Sequence, residues 1–123
     1  MKRILIIEDD PVAGSVYARY LQSRGFTTEL ATDGLRGLDQ LKANPPDAVL
    51  LDLIMPKLNG IELLKQLRAQ EAFRTLPVVV MTNAAIPAFV DQAMSAGANR
   101  VLDKAKSSPE EIVEALQTSV GSS

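Results

Sequence analysis

The sequence predicts an α/β domain in which five strands alternate with five helices and form one parallel sheet covered on both faces. Short apolar runs recur along the 123 residues, and a segment with helical spacing follows each of them. Most of these runs are continuous rather than alternating, which is typical of strands buried on both faces. Short connections and right-handed crossovers then favour a doubly wound (βα)5 sheet. We expect one domain over residues 1–120 and a short tail over 121–123.

The five predicted strands differ in how strongly the sequence marks them. Three runs are strongly apolar, the second in chain order is more polar, and the last is short. They cover residues 4–7, 26–31, 48–51, 78–81 and 101–102.

The first predicted helix has clear start and stop signals. Asp10 is a typical N-cap, Pro11 suits the first helical position, and Gly25 ends the segment. Two apolar ridges with i, i+4 spacing predict its packing faces. The ridges are Val12, Val16 and Tyr20, and Ala13, Tyr17 and Leu21.

The other four helices are predicted from apolar spacing and from their ends. Asn44 closes the second, Gly97 ends the fourth, and Ser108 with Glu111 forms a capping box that opens the fifth. The spaced apolar residues are Leu35, Leu38 and Leu41; Ile61, Leu64 and Leu67; Phe89, Val90, Ala93 and Met94; and Ile112, Val113 and Leu116.

Composition excludes several classes of function. Thirteen basic and fifteen acidic side chains leave a net charge of −2, which argues against nucleic acid or an anionic membrane as partner. The chain has no His and no Cys, so the usual metal-binding nitrogen, thiolate catalysis and disulfides are missing. No apolar stretch is long enough for a membrane helix, and no signal peptide is recognisable, so we expect a cytoplasmic protein.

Polar side chains follow the predicted strands at the points where they end. Glu8 and Asp9 follow the first strand, Asp52 the third, Thr82 the fourth, and Lys104 lies just beyond the fifth. The carboxyl ends of parallel strands meet at one edge of a sheet, where ligands of such folds bind. Each residue alone is more often a solvated loop residue. Together they predict a single cleft.

The chemistry of this cleft follows from its charges. Crowded carboxylates repel one another unless a cation lies among them. Lys104 supplies one, and oxygen ligands without His or Cys suit Mg²⁺ as a second. A carboxylate beside a hard cation, an ammonium and a hydroxyl is what phosphoryl transfer onto Asp52 requires.

Four segments in order carry a resemblance to a known family. They are residues 4–10, residues 50–56 with Gly60, residues 79–82 and residues 102–104. Over essentially the whole chain the sequence resembles the receiver domain of bacterial two-component response regulators, of the chemotaxis-regulator type. The resemblance implies a flavodoxin-like fold with strand order 2-1-3-4-5. It also implies a sensor histidine kinase or phosphotransfer protein as phosphoryl donor.

The resemblance further implies a role for each site residue. Asp52 would accept the phosphoryl group, Thr82 would move toward one phosphoryl oxygen, and Lys104 would pair with another. The implied Mg²⁺ ligands are Asp9 and Asp52 directly, Glu8 through water, and the backbone carbonyl of Ile54. A downstream protein would bind the surface of the fourth helix, fifth strand and fifth helix.

Three positions depart from the family pattern. Val101 stands where an aromatic ring is usual, and Ala105 follows Lys104 where Pro is usual, so the loop that aims Lys104 is expected to differ. Asn83 follows Thr82 where a smaller residue is common. Because Asn83 crowds the expected path of attacking water, we expect a long-lived phosphoryl group on Asp52.

Two other functions stay open at this point. A phosphatase of the haloacid-dehalogenase type also uses an Asp nucleophile, but its second acid would fall at Ile54. A pseudo-receiver would use the fold for binding without phosphorylation. We expect a regulatory domain rather than an enzyme, with no nucleic-acid or membrane contact by this chain, and a homodimer is compatible with the sequence.

Overall fold

The computed structural model describes residues 2–53, 59–83 and 87–120. Five parallel strands form one sheet in the order β2-β1-β3-β4-β5. The predicted fold class and strand order are therefore confirmed. The strands are β1 (Arg3–Ile7), β2 (Thr27–Ala31), β3 (Ala48–Asp52), β4 (Val78–Thr82) and β5 (Arg100–Asp103).

In the described residues, four α-helices and one 3-10 turn connect the strands, and a fifth α-helix follows β5. The Asp10 side chain caps the first helix by accepting from the Val12 N–H, and Ser108 and Glu111 form the expected capping box of the last. None of the helices in these residue ranges is long and apolar enough to cross a membrane. The helices are α1 (Pro11–Ser23), α2 (Gly34–Ala43), α3 (Gly60–Ala69), α4 (Pro87–Ala96) and α5 (Pro109–Ser119), with the 3-10 turn at Glu71–Phe73.

The sheet separates two apolar cores, because successive side chains of a strand point to opposite faces. Within β1, Ile4 and Ile6 pack with α1 and α5, whereas Leu5 and Ile7 pack with α2, α3 and α4. All residues of β3 and β4 are buried. This explains why their sequences are continuous apolar runs.

The structure corrects one part of the predicted packing. The ridge of Val12, Val16 and Tyr20 on α1 was expected to face the core, but all three side chains are exposed. Helix α1 buries only the face that contains Tyr17 and Leu21 against the sheet and α5. A helix lying on a sheet has one buried stripe, so the second apolar ridge remains at the surface.

The register of the strands brings their carboxyl ends to one edge. Asp52 is level with Met81 in the neighbouring strand, and Thr82 is level with Asp103. Positions 8, 52, 82 and 104 therefore lie along the same edge. Two predicted features, the Ile54 carbonyl and the tail at 121–123, fall outside the described residues.

Candidate functional site

Three charged side chains meet at the carboxyl edge of the sheet. Glu8 directly follows β1, and Asp52 is the last residue of β3. The Lys104 ammonium donates hydrogen bonds to Oε1 of Glu8 and, over 3.2 Å, to Oδ2 of Asp52. Glu8 is fully buried and Asp52 is 6% exposed. Lys104 is thus the shared counter-ion of two buried acids that lie 44 positions apart in the sequence.

A third acid completes an oxygen-rich cluster. One carboxylate oxygen from each of Glu8, Asp9 and Asp52 lies within 4.8 Å of the other two. Asp9 is exposed, so the cluster opens to solvent on its side. Oε2 of Glu8 is buried and has no hydrogen-bond partner within the described part of the chain. An oxygen-only donor set with an unsatisfied buried oxygen fits a hard divalent cation such as Mg²⁺.

Burial and charge perturb the acids of this cluster. Burial raises the pKa of the Glu8 carboxyl from 4.5 to about 8, and the hydrogen bond to Asp52 adds to the shift, whereas Lys104 opposes it. Burial also works against the charge on Lys104, but its hydrogen bond to Glu8 and the nearby acids outweigh that effect and raise its pKa. Without a divalent cation, burial therefore favours a proton on Glu8, whereas Lys104 keeps its positive charge.

The loop after β5 positions Lys104 through backbone contacts. The Lys104 N–H donates to the carbonyl of Thr82 over 2.9 Å. This hydrogen bond continues the pairing of β4 with β5 one residue beyond Asp103. The Ala105 N–H donates to Oδ1 of Asp103 over 2.9 Å, and the Lys104–Ala105 peptide is trans. A proline at position 105 has no N–H to donate. The Asp103 carboxylate thereby holds the turn that follows Lys104.

The other predicted residues lie along the same edge. Thr82 is fully buried at the end of β4, and Asn83 is exposed directly after it. Val101 is half-buried and packs against the core on the side of α2, α3 and α4. The site therefore combines buried acids, a buried hydroxyl-bearing residue and one ammonium.

The first residue of α3 approaches the site very closely. The Gly60 N–H donates to the carbonyl of Leu53 over 2.8 Å, directly after Asp52. A Cβ at position 60 would lie only 2.7 Å from the Leu53 Cα. Glycine is therefore required here by contact with backbone.

A family model for the response regulator receiver domain matches residues 4–117. The chain belongs to the response regulator receiver family. Receivers are the regulatory domains of two-component systems, and the flavodoxin-like fold described above agrees with this membership.

Individual relatives agree with the assignment. The receiver is 42% identical over 80 residues to the response regulator MprA of Mycobacterium sp. (strain KMS). That match covers 65% of this chain and 34% of the relative, so the receiver spans about a third of the length of the relatives it matches.

Solved structures of similar proteins superpose over almost the whole receiver. The chemotaxis response regulator CheY4 of Vibrio cholerae aligns with a TM-score of 0.90 and 26% identity over 97% of this chain and 98% of that chain. The Francisella response regulator 1452 receiver domain aligns with a TM-score of 0.90 and 25% identity over 98% of this chain and 97% of that chain.

Proposed function

We propose that this receiver accepts a phosphoryl group on Asp52 and passes the resulting change to a partner protein. The main support is the contact of Lys104 with both Glu8 and Asp52 inside a cluster of three carboxylates. A partly buried ammonium bound to the acceptor carboxylate is placed to neutralise an incoming phosphoryl oxygen.

The proposed donor is a phosphohistidine of a sensor kinase or phosphotransfer protein. An Oδ of Asp52 forms the new bond to phosphorus as the bond between phosphorus and the donor nitrogen breaks. The electron pair of that bond stays on the imidazole, which takes up a proton. The 123 residues contain no His, so the donor nitrogen lies outside them.

Asp9, Asp52 and Glu8 are the side chains that would hold Mg²⁺, with the Ile54 carbonyl as the proposed backbone ligand. The ion would supply positive charge for the phosphoryl oxygens. Thr82 is proposed to donate to one of these oxygens and Lys104 to pair with another.

The proposed output surface consists of α4, β5 and α5. Thr82 ends β4, and the Thr82 carbonyl is bonded to the N–H of Lys104 at the end of β5. A shift of Thr82 toward phosphate would therefore act directly on β5 and on the loop that leads to α5. We include a cytoplasmic location in the same proposal, because the donor and the partner are signalling proteins of the cell interior.

Intact-mass measurement after incubation with acetyl phosphate and Mg²⁺ tests this function. We expect one phosphoryl adduct on the wild-type chain and none on Asp52→Asn. The matched control is Asp39→Asn, which makes the same change at an exposed position of α2 and should keep the adduct. No adduct on the wild type would favour the pseudo-receiver, and sustained turnover of a phosphomonoester would favour the phosphatase.

A further inference from the structure

An apolar stripe on the outer side of α1 belongs to neither of the two described cores. It consists of Val12, Val16 and Tyr20, whose exposed fractions are 72%, 36% and 41%. Because the three residues are spaced by four, they form one continuous ridge along the helix. Neighbouring exposed apolar side chains of this kind mark an interaction surface more often than isolated ones do.

A shallow groove of about 340 Å³ runs beside this stripe. Two rows of α1 residues spaced by four form its walls, one being Pro11, Ser15 and Arg19 and the other Val12 and Val16. Such a groove accepts the ridge of another helix. The small Ser15 side chain at its centre permits close approach of a second helix.

Charge along α1 selects the direction of that second helix. Asp9 and Asp10 are exposed at its N-terminal end, and Arg19 is exposed near its C-terminal end. Arg24 is already paired with Glu110, whereas Arg19 forms no ion pair with any described residue. An antiparallel second α1 places Arg19 of each copy toward the acidic end of the other.

We propose that two copies of this chain associate through α1 in an antiparallel, two-fold arrangement. The axis passes near Ser15 and Val16, so that Tyr20 of each copy lies over the Pro11–Val12 end of the other copy's groove. The same surface of each copy then supplies the apolar ridge, the groove that accepts the other copy's ridge, and the acidic and basic ends of α1. A two-fold interface requires such self-complementarity. The inference goes beyond the proposed function, because it does not depend on phosphorylation of Asp52.

The contact is expected to be weak. Thirteen helical residues extend about 20 Å, so the interface stays below the roughly 1,200 Å² of stable complexes. A dissociation constant on the order of 0.1 mM is expected at moderate salt. Association would also cover the acidic end of α1 next to Asp9.

Sedimentation velocity over a concentration series tests the proposal. The wild type should show a rising weight-average sedimentation coefficient, and Val16→Glu should weaken association at least tenfold. Arg19→Glu should also weaken it, and added salt should reduce it. Met94→Glu is the matched control, since Met94 is an exposed apolar residue of α4 and its replacement should leave association unchanged.

Cross-linking provides a second measurement that does not depend on affinity. The chain has no Cys, so a single one can be introduced by Ser15→Cys near the two-fold axis or by Ser95→Cys on α4. A short bis-maleimide should link the first variant to itself and leave the second monomeric. A wild type that stays monomeric throughout the series overturns the proposal. The proposal is also overturned if Met94→Glu abolishes association and Val16→Glu does not. It is overturned as well if Val16→Glu weakens only a contact with an added phosphodonor protein.

Discussion

Glu8 couples the protonation of the site to the stability of the fold. Its folded-state pKa of about 8 lies above the ordinary value of 4.5. Between pH 4.5 and 8 the native state therefore keeps a proton that the unfolded state has released. The stabilisation is complete below pH 4.5 and is lost as pH rises through 8. The chain has no His, so few other groups titrate in this window.

Without a divalent cation, we therefore expect the free energy of unfolding to fall between about pH 5 and 8, by a few kcal/mol at most. Glu8→Gln should flatten this dependence, because the amide carries no titrating proton. Urea denaturation at a series of pH values measures both curves. An equally steep decline in Glu8→Gln would assign the effect to another group.

Asn83 is expected to lengthen the life of the phosphoryl group, because it lies exposed directly after Thr82. Asn83→Ala should open a path for water and shorten the half-life about threefold to tenfold, which corresponds to about 0.7–1.4 kcal/mol in the barrier. Loss of the adduct after removal of acetyl phosphate gives the rate by mass. Gln92→Ala, at an exposed position of α4, is the control. A wild-type half-life of seconds would contradict the expectation.

At the scale of elements, the start of α3 depends on Gly60. Gly60→Ala would place a Cβ against the Leu53 backbone, which cannot turn aside as a flexible side chain can. We expect a loss of about 1–3 kcal/mol in the free energy of unfolding, measured by denaturant titration. Ser95→Ala, on the exposed face of α4, should change stability little. Unchanged stability of Gly60→Ala would show that α3 can shift away from β3.

Secondary structure was predictable because local signals agree with the tertiary fold. The buried central strands have continuous apolar sequences, and Asp10, Gly97 and Ser108 mark helix ends as expected. The exposure of the Val12 ridge was not predictable, since both apolar ridges of α1 have the same spacing. Only packing against α5 and the sheet decides which ridge is buried.

The residues of the site were predictable from the sequence, but the hydrogen bonds between them were not. Glu8, Asp52 and Lys104 were predicted to lie at one edge because each follows or ends a predicted strand. That Lys104 would bind both acids depends on the turn held by Asp103 and Ala105, and no sequence pattern identified that turn.

At the scale of the whole molecule, Mg²⁺ should stabilise the receiver. Folding brings Asp52 beside the adjacent acids Glu8 and Asp9, so an ion that binds all three favours the native state. At about ten times its dissociation constant, the ion should add about 1.4 kcal/mol to the free energy of unfolding. Thermal melts with MgCl₂ and with KCl at equal ionic strength measure the difference. Asp9→Asn should reduce the gain, and equal effects of the two salts would argue against a specific site.

Chemical mapping of the phosphorylated residue shows whether Asp52 is the phosphoryl acceptor. Borohydride reduces an aspartyl phosphate to homoserine, which changes the mass of the peptide that contains it. After treatment with acetyl phosphate and Mg²⁺, we expect homoserine at position 52 and at no other acidic residue. Homoserine at Asp9 or elsewhere, or a chain without any reduced residue, would contradict it.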